Sequence, residues 1–233
     1  MKAAIITGAS VGIGRETAGL FLAEGYSVFN LSRRACPIDG VQNLACDLAS
    51  AESLDQCIAQ LTTALDAADH IALVHNASQM RKDSADDCAS DSMQAVLETN
   101  VVAINRLNMG FLPLMKAGSS IIYVGSTLSE KAVAGSYSYV ISKHAQLGMM
   151  RATCQDLMGR GIHTAMVCPG FTDTEMLRTH IGTDAAVEAG IAGMNSFNRL
   201  VQPVEIAELI QWAHAHPVIN GAVLHANLGQ KES

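Results

Sequence analysis

Six short apolar, β-rich runs punctuate the chain: AAIIT (3–7), SVFNL (27–31), IALVHNA (71–77), SIIYVG (120–125), HTAMVC (163–168) and AVLHA (222–226). Longer stretches with apolar positions at helical spacing lie between them. In GRETAGLFLAEG, for instance, Ala18, Phe21 and Leu22 share a face and Gly25 closes the segment. Strand and helix alternate throughout. Parallel neighbours need a crossover, and strands apolar on both sides need cover on both, so the pattern predicts an α/β fold built on a doubly wound parallel sheet. No repeat, low-complexity tract or Pro/Gly/Ser linker divides residues 1–233, which are expected to form one domain. The longest stretch of weak pattern, 171–203, follows a strand end and is expected to be a substrate lid.

At 233 residues the chain can bury a substantial core without disulfides or metals. With 49% hydrophobic but only 4% aromatic residues, that core must be mainly aliphatic. A formal charge of −7 leaves no broad basic face for a nucleic-acid backbone, so nucleic acid is not an expected partner. Cysteines 36, 46, 57, 88, 154 and 168 show neither a C-x-x-C pair nor zinc spacing, and are expected to be reduced thiols of a cytoplasmic protein without a metal. The apolar run in MKAAIITGAS is too short for a signal-peptide core, and no stretch nears the roughly 20 apolar residues of a membrane span. A soluble protein is expected.

TGASVGIG (7–14) joins the first strand to the first helix, with glycines at 8, 12 and 14. In that context a glycine turn lets backbone N–H groups and a helix N-terminus approach a pyrophosphate, although an ordinary tight strand-to-helix turn would read the same way. The second strand ends in NLSRRA, where Ser32, Arg33 and Arg34 stand in place of the acid that a free ribose 2′-hydroxyl calls for. Two arginines there favour a 2′-phosphate, hence NADP over NAD, unless they are merely a solvated basic turn.

YSYVISKHA (137–145) offers two tyrosines and one lysine. Tyr139 and Lys143 are four apart and lie on one helical face; Tyr137, six from the lysine, does not. A phenol titrates near 10, so it works as a base at neutral pH only if a cation stabilises the phenolate, and Lys143 can supply that charge. Ser126, thirteen residues before Tyr139, ends the strand SIIYVGS, where a hydroxyl can reach a substrate oxygen.

Together with CDL (46–48), HNAS (75–78), ETN (98–100) and PGFTDTEM (169–176), these motifs resemble the classical short-chain dehydrogenase/reductase family over essentially the whole length. The resemblance implies a Rossmann-like three-layer α/β/α fold. It also implies Tyr139 as general acid/base, Ser126 orienting the carbonyl or alcohol, Lys143 lowering the phenol and binding the nicotinamide ribose, and Asn100 holding a water that passes protons on from the lysine. Implied coenzyme contacts are Gly8, Ser10, Gly12, Ile13 and Gly14 in the turn, Asp47 and Leu48 at the adenine, and Asn76 and Ala77 on the adenosine side. Pro169, Gly170, Thr172 and Thr174 complete them, with Thr174 at the carboxamide. Several of these have plainer readings: Asn100 as a local backbone hydrogen-bonding residue, Asp47 as the cap of a helix starting near Leu48, Thr174 as the cap of the next segment.

The chain departs from the family in three places: Ser78 stands where glycine is usual, Val11 where a cation for NADP often sits, and the C-terminal AVLHANLGQKES lacks paired glycines. His75 is expected to be structural rather than catalytic. The expectation is an NADP-dependent oxidoreductase acting on a small carbonyl or alcohol. A non-catalytic dinucleotide-binding redox sensor or regulator is the rival, but it would need the glycine turn without the tyrosine. A sugar-nucleotide epimerase would need more chain after the sheet. Leu147, Met149, Met150 and Leu157 form a stripe that is either core or, as the resemblance implies for this helix, a seam in a homodimer or homotetramer.

Overall fold

The computed structural model describes residues 1–182 and 184–231; Thr183 of the expected lid, and Glu232 and Ser233 of the expected domain, lie outside the described residues. The elements in chain order are β1 (Lys2–Thr7), α1 (Gly12–Ala23), β2 (Ser27–Ser32), β3 (Gln42–Ala45), α2 (Ala51–Leu65), β4 (His70–His75), α3 (Ser90–Leu97) and α4 (Ala103–Phe111). They continue with β5 (Ser120–Val124), α5 (Tyr137–Asp156), β6 (His163–Pro169), α6 (Glu175–Ile181), α7 (Ala185–Ala192), α8 (Pro203–Ala215) and β7 (Ala222–Ala226). The strands form one parallel sheet in the order β3-β2-β1-β4-β5-β6-β7. Strand order reverses between β1 and β4, which opens a crevice at the carboxyl edge.

Alternate strand residues feed two cores. Ala3, Ile5, Leu73, Ile121 and Tyr123 pack with Leu54, Leu61, Ile104, Phe111 and Met150 of α2, α4 and α5. Ala4, Ile6, Val74, Ile122 and Val124 pack with Ala18, Phe21, Ile206 and Ile210 of α1 and α8. Each fully buried Val, Leu, Ile, Phe or Met among them contributes about 1.5–3 kcal/mol. Within the α5 stripe, Leu147, Met150 and Leu157 belong to the first core and Met149 packs against it.

Two boundaries depart from the sequence pattern. β3 carries no apolar run because it is an edge strand with three of its four residues exposed, held by its ladder to β2. β4 stops at His75 because the next two backbone N–H groups leave the ladder: those of Asn76 and Ala77 both donate to Thr7 Oγ1 at 3.0 Å. Among the described residues no helix is long and apolar enough to cross a membrane.

Candidate active site

The crevice floor is the β1–α1 turn. Gly8 and Gly12 adopt φ of +71° and +56°, conformations that favour glycine. A Cβ on Gly14 would lie 2.3 Å from Gly8 O, so the turn closes only with glycine there. Val11 provides no side-chain cap and the first turn of α1 holds no acid. The helix thus presents uncapped N–H donors and the positive end of its dipole to the crevice, and this suits a pyrophosphate. Asn76 Nδ2 donates to the carbonyls of Thr7 (2.9 Å) and Gly8 (3.1 Å), fixing the turn against β4. Its implied partnership with a coenzyme would therefore act through the turn's shape.

A buried asparagine that sequence reasoning missed shapes the adjacent wall. Asn30 Oδ1 accepts from Ala9 N at 2.9 Å, while its Nδ2 donates to Arg34 O and Asn43 Oδ1. This ties the glycine turn to the turn after β2. Ser32 Oγ reaches Ser10 Oγ at 3.4 Å. Arg33 is exposed, with no hydrogen-bond or ion-pair partner among the described residues, and Arg34 forks onto Glu175 at 3.1 and 3.2 Å. Asp47 Oδ1 accepts from Ala49 N at 3.0 Å, whereas α2 starts at Ala51 under a Ser50 cap, later than the start near Leu48 that capping by Asp47 would need.

Across the crevice, Ser126 follows β5 and caps a short 3-10 turn: its Oγ accepts from Leu128 N (3.1 Å) and its N–H donates to Ser129 Oγ (3.1 Å). Tyr139 is 8% exposed, while Tyr137 on the other face is 41% exposed. Burial pushes the Tyr139 phenol up to about 12, against the hydroxyls of Ser126 and Ser78, which favour the phenolate. Ser78 Oγ is buried near the phenol but makes no bond of full hydrogen-bond geometry, so it remains an unpartnered hydroxyl. The net shift of the phenol is upward, set by its burial. Lys143 Nζ sits 5.5 Å from the ring centroid while donating to Val124 O (2.9 Å) and Gln146 Oε1 (3.1 Å). Desolvation in turn lowers Lys143 to about 8.

Asn100 lies fully buried in a π-turn, Glu98–Val102, between α3 and α4. Its Nδ2 donates to Gln79 O (2.8 Å) and Ser142 Oγ (2.9 Å), and its Oδ1 accepts from Gln79 N (2.7 Å). Its carbonyl accepts from Gln146 Nε2 at 2.7 Å. Gln146, which sequence reasoning missed, thereby links Lys143 to Asn100 through its own amide. The pairing is invisible in the sequence because Asn100 and Gln146 lie 46 residues apart.

Asp83 was missed too. Its Oδ1 accepts from Ser138 N at 3.0 Å, its Oδ2 accepts from Ser138 Oγ, and its carbonyl accepts from Tyr137 N at 3.2 Å. Burial alone would raise this carboxyl, but the Ser138 bonds bring it below the usual value. α5 has no cap of its own, so this loop residue terminates the helix bearing Tyr139 and Lys143. Asp83→Ala is expected to cost about 1–2 kcal/mol, a fall in Tm of about 2–8 °C by calorimetry.

The segment after β6 crosses back over the glycine turn. A Cβ on Gly12 would come 3.2 Å from Thr174 Cγ2. Thr174 Oγ1 accepts from Leu177 N at 3.2 Å and so caps α6, its plainer reading. Asp173 N and Val201 N exchange bonds with Val201 O and Phe171 O, both at 2.9 Å, closing the stem of the 171–203 segment, and Thr172 Oγ1 donates to Gly170 O at 3.0 Å. Arg178 joins Asp173 to Glu188, tying α6 to α7. His75, two per cent exposed, bonds Asn108 Oδ1 at 2.8 Å and is pushed down to about 4 by burial, a structural role as expected.

The sequence profile of the short chain dehydrogenase family matches residues 2–184. Over 245 residues the chain is 28% identical to a 3-oxoacyl-(acyl-carrier-protein) reductase of Vibrio cholerae, covering 98% of this chain and 96% of that one. Among solved structures, a short chain dehydrogenase family protein from Francisella tularensis superposes with a TM-score of 0.91 at 26% identity, over 98% of both chains. A short chain dehydrogenase from Burkholderia cenocepacia in complex with NADP superposes at 0.88 and 26% identity, over 98% of this chain and 97% of that one.

Proposed function

The chain belongs to the short-chain dehydrogenase family and is thereby an NAD(P)-dependent oxidoreductase of CH–OH and carbonyl groups; on that premise we propose that it uses NADP(H) on a small carbonyl or alcohol, with Tyr139 as general acid/base. What carries this reading is the burial of the Tyr139 phenol beside the Ser126 hydroxyl at the carboxyl edge, with Lys143 one helical turn on.

The coenzyme fits the residues present. The uncapped N-terminus of α1, with Gly8, Ser10, Gly12, Ile13 and Gly14, would take the pyrophosphate, and Ser32, Arg33 and Arg34 the 2′-phosphate. Asp47, Leu48, Asn76 and Ala77 would border the adenosine, and Pro169, Gly170, Thr172 and Thr174 the nicotinamide end. When bound, the nicotinamide supplies or accepts the hydride. Ser126 Oγ holds the substrate oxygen, and Tyr139 donates its proton there as negative charge develops. Lys143 would hold the coenzyme ribose and bring its charge to bear on the phenol; Gln146 accepts from its Nζ and donates to Asn100 O. Segment 171–203 folds over the substrate as a lid within a single domain. By family likeness the chain is expected to pair as a homodimer or homotetramer in the reducing cytoplasm.

The experiment is an NADPH-oxidation screen over aldehydes, ketones, quinones, pteridines and β-ketoacyl thioesters. The thioesters come first because a relative's name is that of a 3-oxoacyl reductase. Turnover of none, with the coenzyme bound, would sink the proposal. Arg33→Ala is expected to raise the NADPH Kd about tenfold and leave NADH unchanged, as read by fluorescence titration; equal affinities in both proteins would contradict the NADP reading.

A further inference from the structure

Glu175 is the first residue of α6, and its carboxylate forks onto Arg34 with both oxygens, at 3.1 and 3.2 Å. The partners are 141 residues apart and stand on opposite walls of the crevice, one on the turn after β2, the other beyond the strand-end segment that lies against Gly12. A bidentate carboxylate on a guanidinium has nearly the geometry of a phosphate on the same group. Ser32 Oγ, which accepts from Arg34 N at 3.4 Å, marks this guanidinium's turn as the wall that would face the adenosine ribose.

We propose that Glu175 is a specificity-determining residue that occupies Arg34 in competition with the coenzyme 2′-phosphate. This rests on the NADP reading of the site. A 2′-phosphate arriving at Ser32, Arg33 and Arg34 meets one open cation, Arg33, and one already taken. Binding of the phosphorylated coenzyme exchanges carboxylate for phosphate on Arg34 and frees the start of α6. Binding of the unphosphorylated coenzyme leaves the pair closed, because a ribose hydroxyl cannot displace a carboxylate from a guanidinium. Glu175 therefore narrows the preference for NADP over NAD that the two arginines would otherwise give.

Both side chains are more than half exposed, 59% and 55%, so the pair is weak and the expected effect is modest. Removing the competitor should recover about two- to fivefold in affinity. The probes are 2′,5′-ADP and 5′-ADP, titrated calorimetrically into the wild type, Glu175→Gln, Arg34→Ala and the double variant, with no turnover involved. Glu175→Gln is expected to tighten 2′,5′-ADP by that factor and to leave 5′-ADP unchanged, and the gain should vanish in the Arg34→Ala background. No gain, an equal gain for both probes, or a gain that survives Arg34→Ala overturns the proposal. If the wild type binds both probes equally and Glu175→Gln alone prefers 2′,5′-ADP, the NADP reading falls and the competition stands. If neither protein prefers 2′,5′-ADP, both fall.

Discussion

Replacing Tyr139 by phenylalanine is expected to lower kcat by about 10²–10⁴-fold while the NADPH Kd stays within about twofold. The change deletes one oxygen and keeps the ring, which is 8% exposed and flanked by the Lys143 ammonium 5.5 Å from its centroid. Packing and coenzyme contacts should survive it, so lost binding cannot stand in for lost chemistry. What disappears is the only phenol beside Ser126 among the described residues: Tyr137 faces away, and Tyr123 is buried on Asn108 and Thr153. Burial holds the phenol at about 12, so at neutral pH it carries its proton, as the proposed donor in carbonyl reduction must. To work as a base for alcohol oxidation the phenol would need added positive charge, which Lys143 could supply. Steady-state kinetics alongside fluorescence titration of coenzyme separates the two readouts. Turnover near the wild-type rate in the phenylalanine variant would remove the mechanism.

Local pattern carried the sheet and the placing of Tyr139 and Lys143 on one helix face because both depend on short-range periodicity. Strand runs apolar on both faces required helices on both sides, and the four-residue step from Tyr139 to Lys143 separated the buried tyrosine from the exposed one. β3 escaped because an edge strand needs no apolar run. The residues that tie α5 and the crevice turns in place also escaped, for a common reason: their partners are distant in the chain. Asp83 caps α5 from 55 residues away, Asn30 joins two turns, and Gln146 reaches a carbonyl that a π-turn exposes. Nothing in a spacing of apolar residues encodes a π-turn or a cap supplied by another loop. The net rise of the phenol was not legible either, because it comes from burial, a tertiary property that proximity along one helix does not report.

Acid should destabilise this fold at a higher pH than its carboxylates alone would predict. His75, bonded to Asn108, and His214, bonded to Tyr26 (2.8 Å) and Ser120 (2.7 Å), are both pushed down to about 4 by burial, from 6.5. For His214 the neighbouring His163, His70 and Lys2 add to the shift. Between pH 6.5 and 4 the unfolded chain binds protons at these rings that the folded chain refuses, so stability falls with pH across that window and is unaffected above it. Each ring contributes on the order of 3 kcal/mol by pH 4, a large share of the roughly 5–15 kcal/mol that holds a domain together. Carboxylates act lower: Glu205, held at about 2 by Arg199, begins to cost stability only below about 4.5. The interval from 6.5 to 4.5 therefore belongs to the imidazoles. Urea unfolding at pH 7.5, 6.0 and 5.0 should give a falling midpoint, and His214→Gln, though less stable at pH 7.5, should show a shallower slope. A midpoint flat from pH 7.5 to 5.0 would mean that these rings accept protons in the folded chain, and hence that the Tyr26–His214–Ser120 contacts are open to solvent.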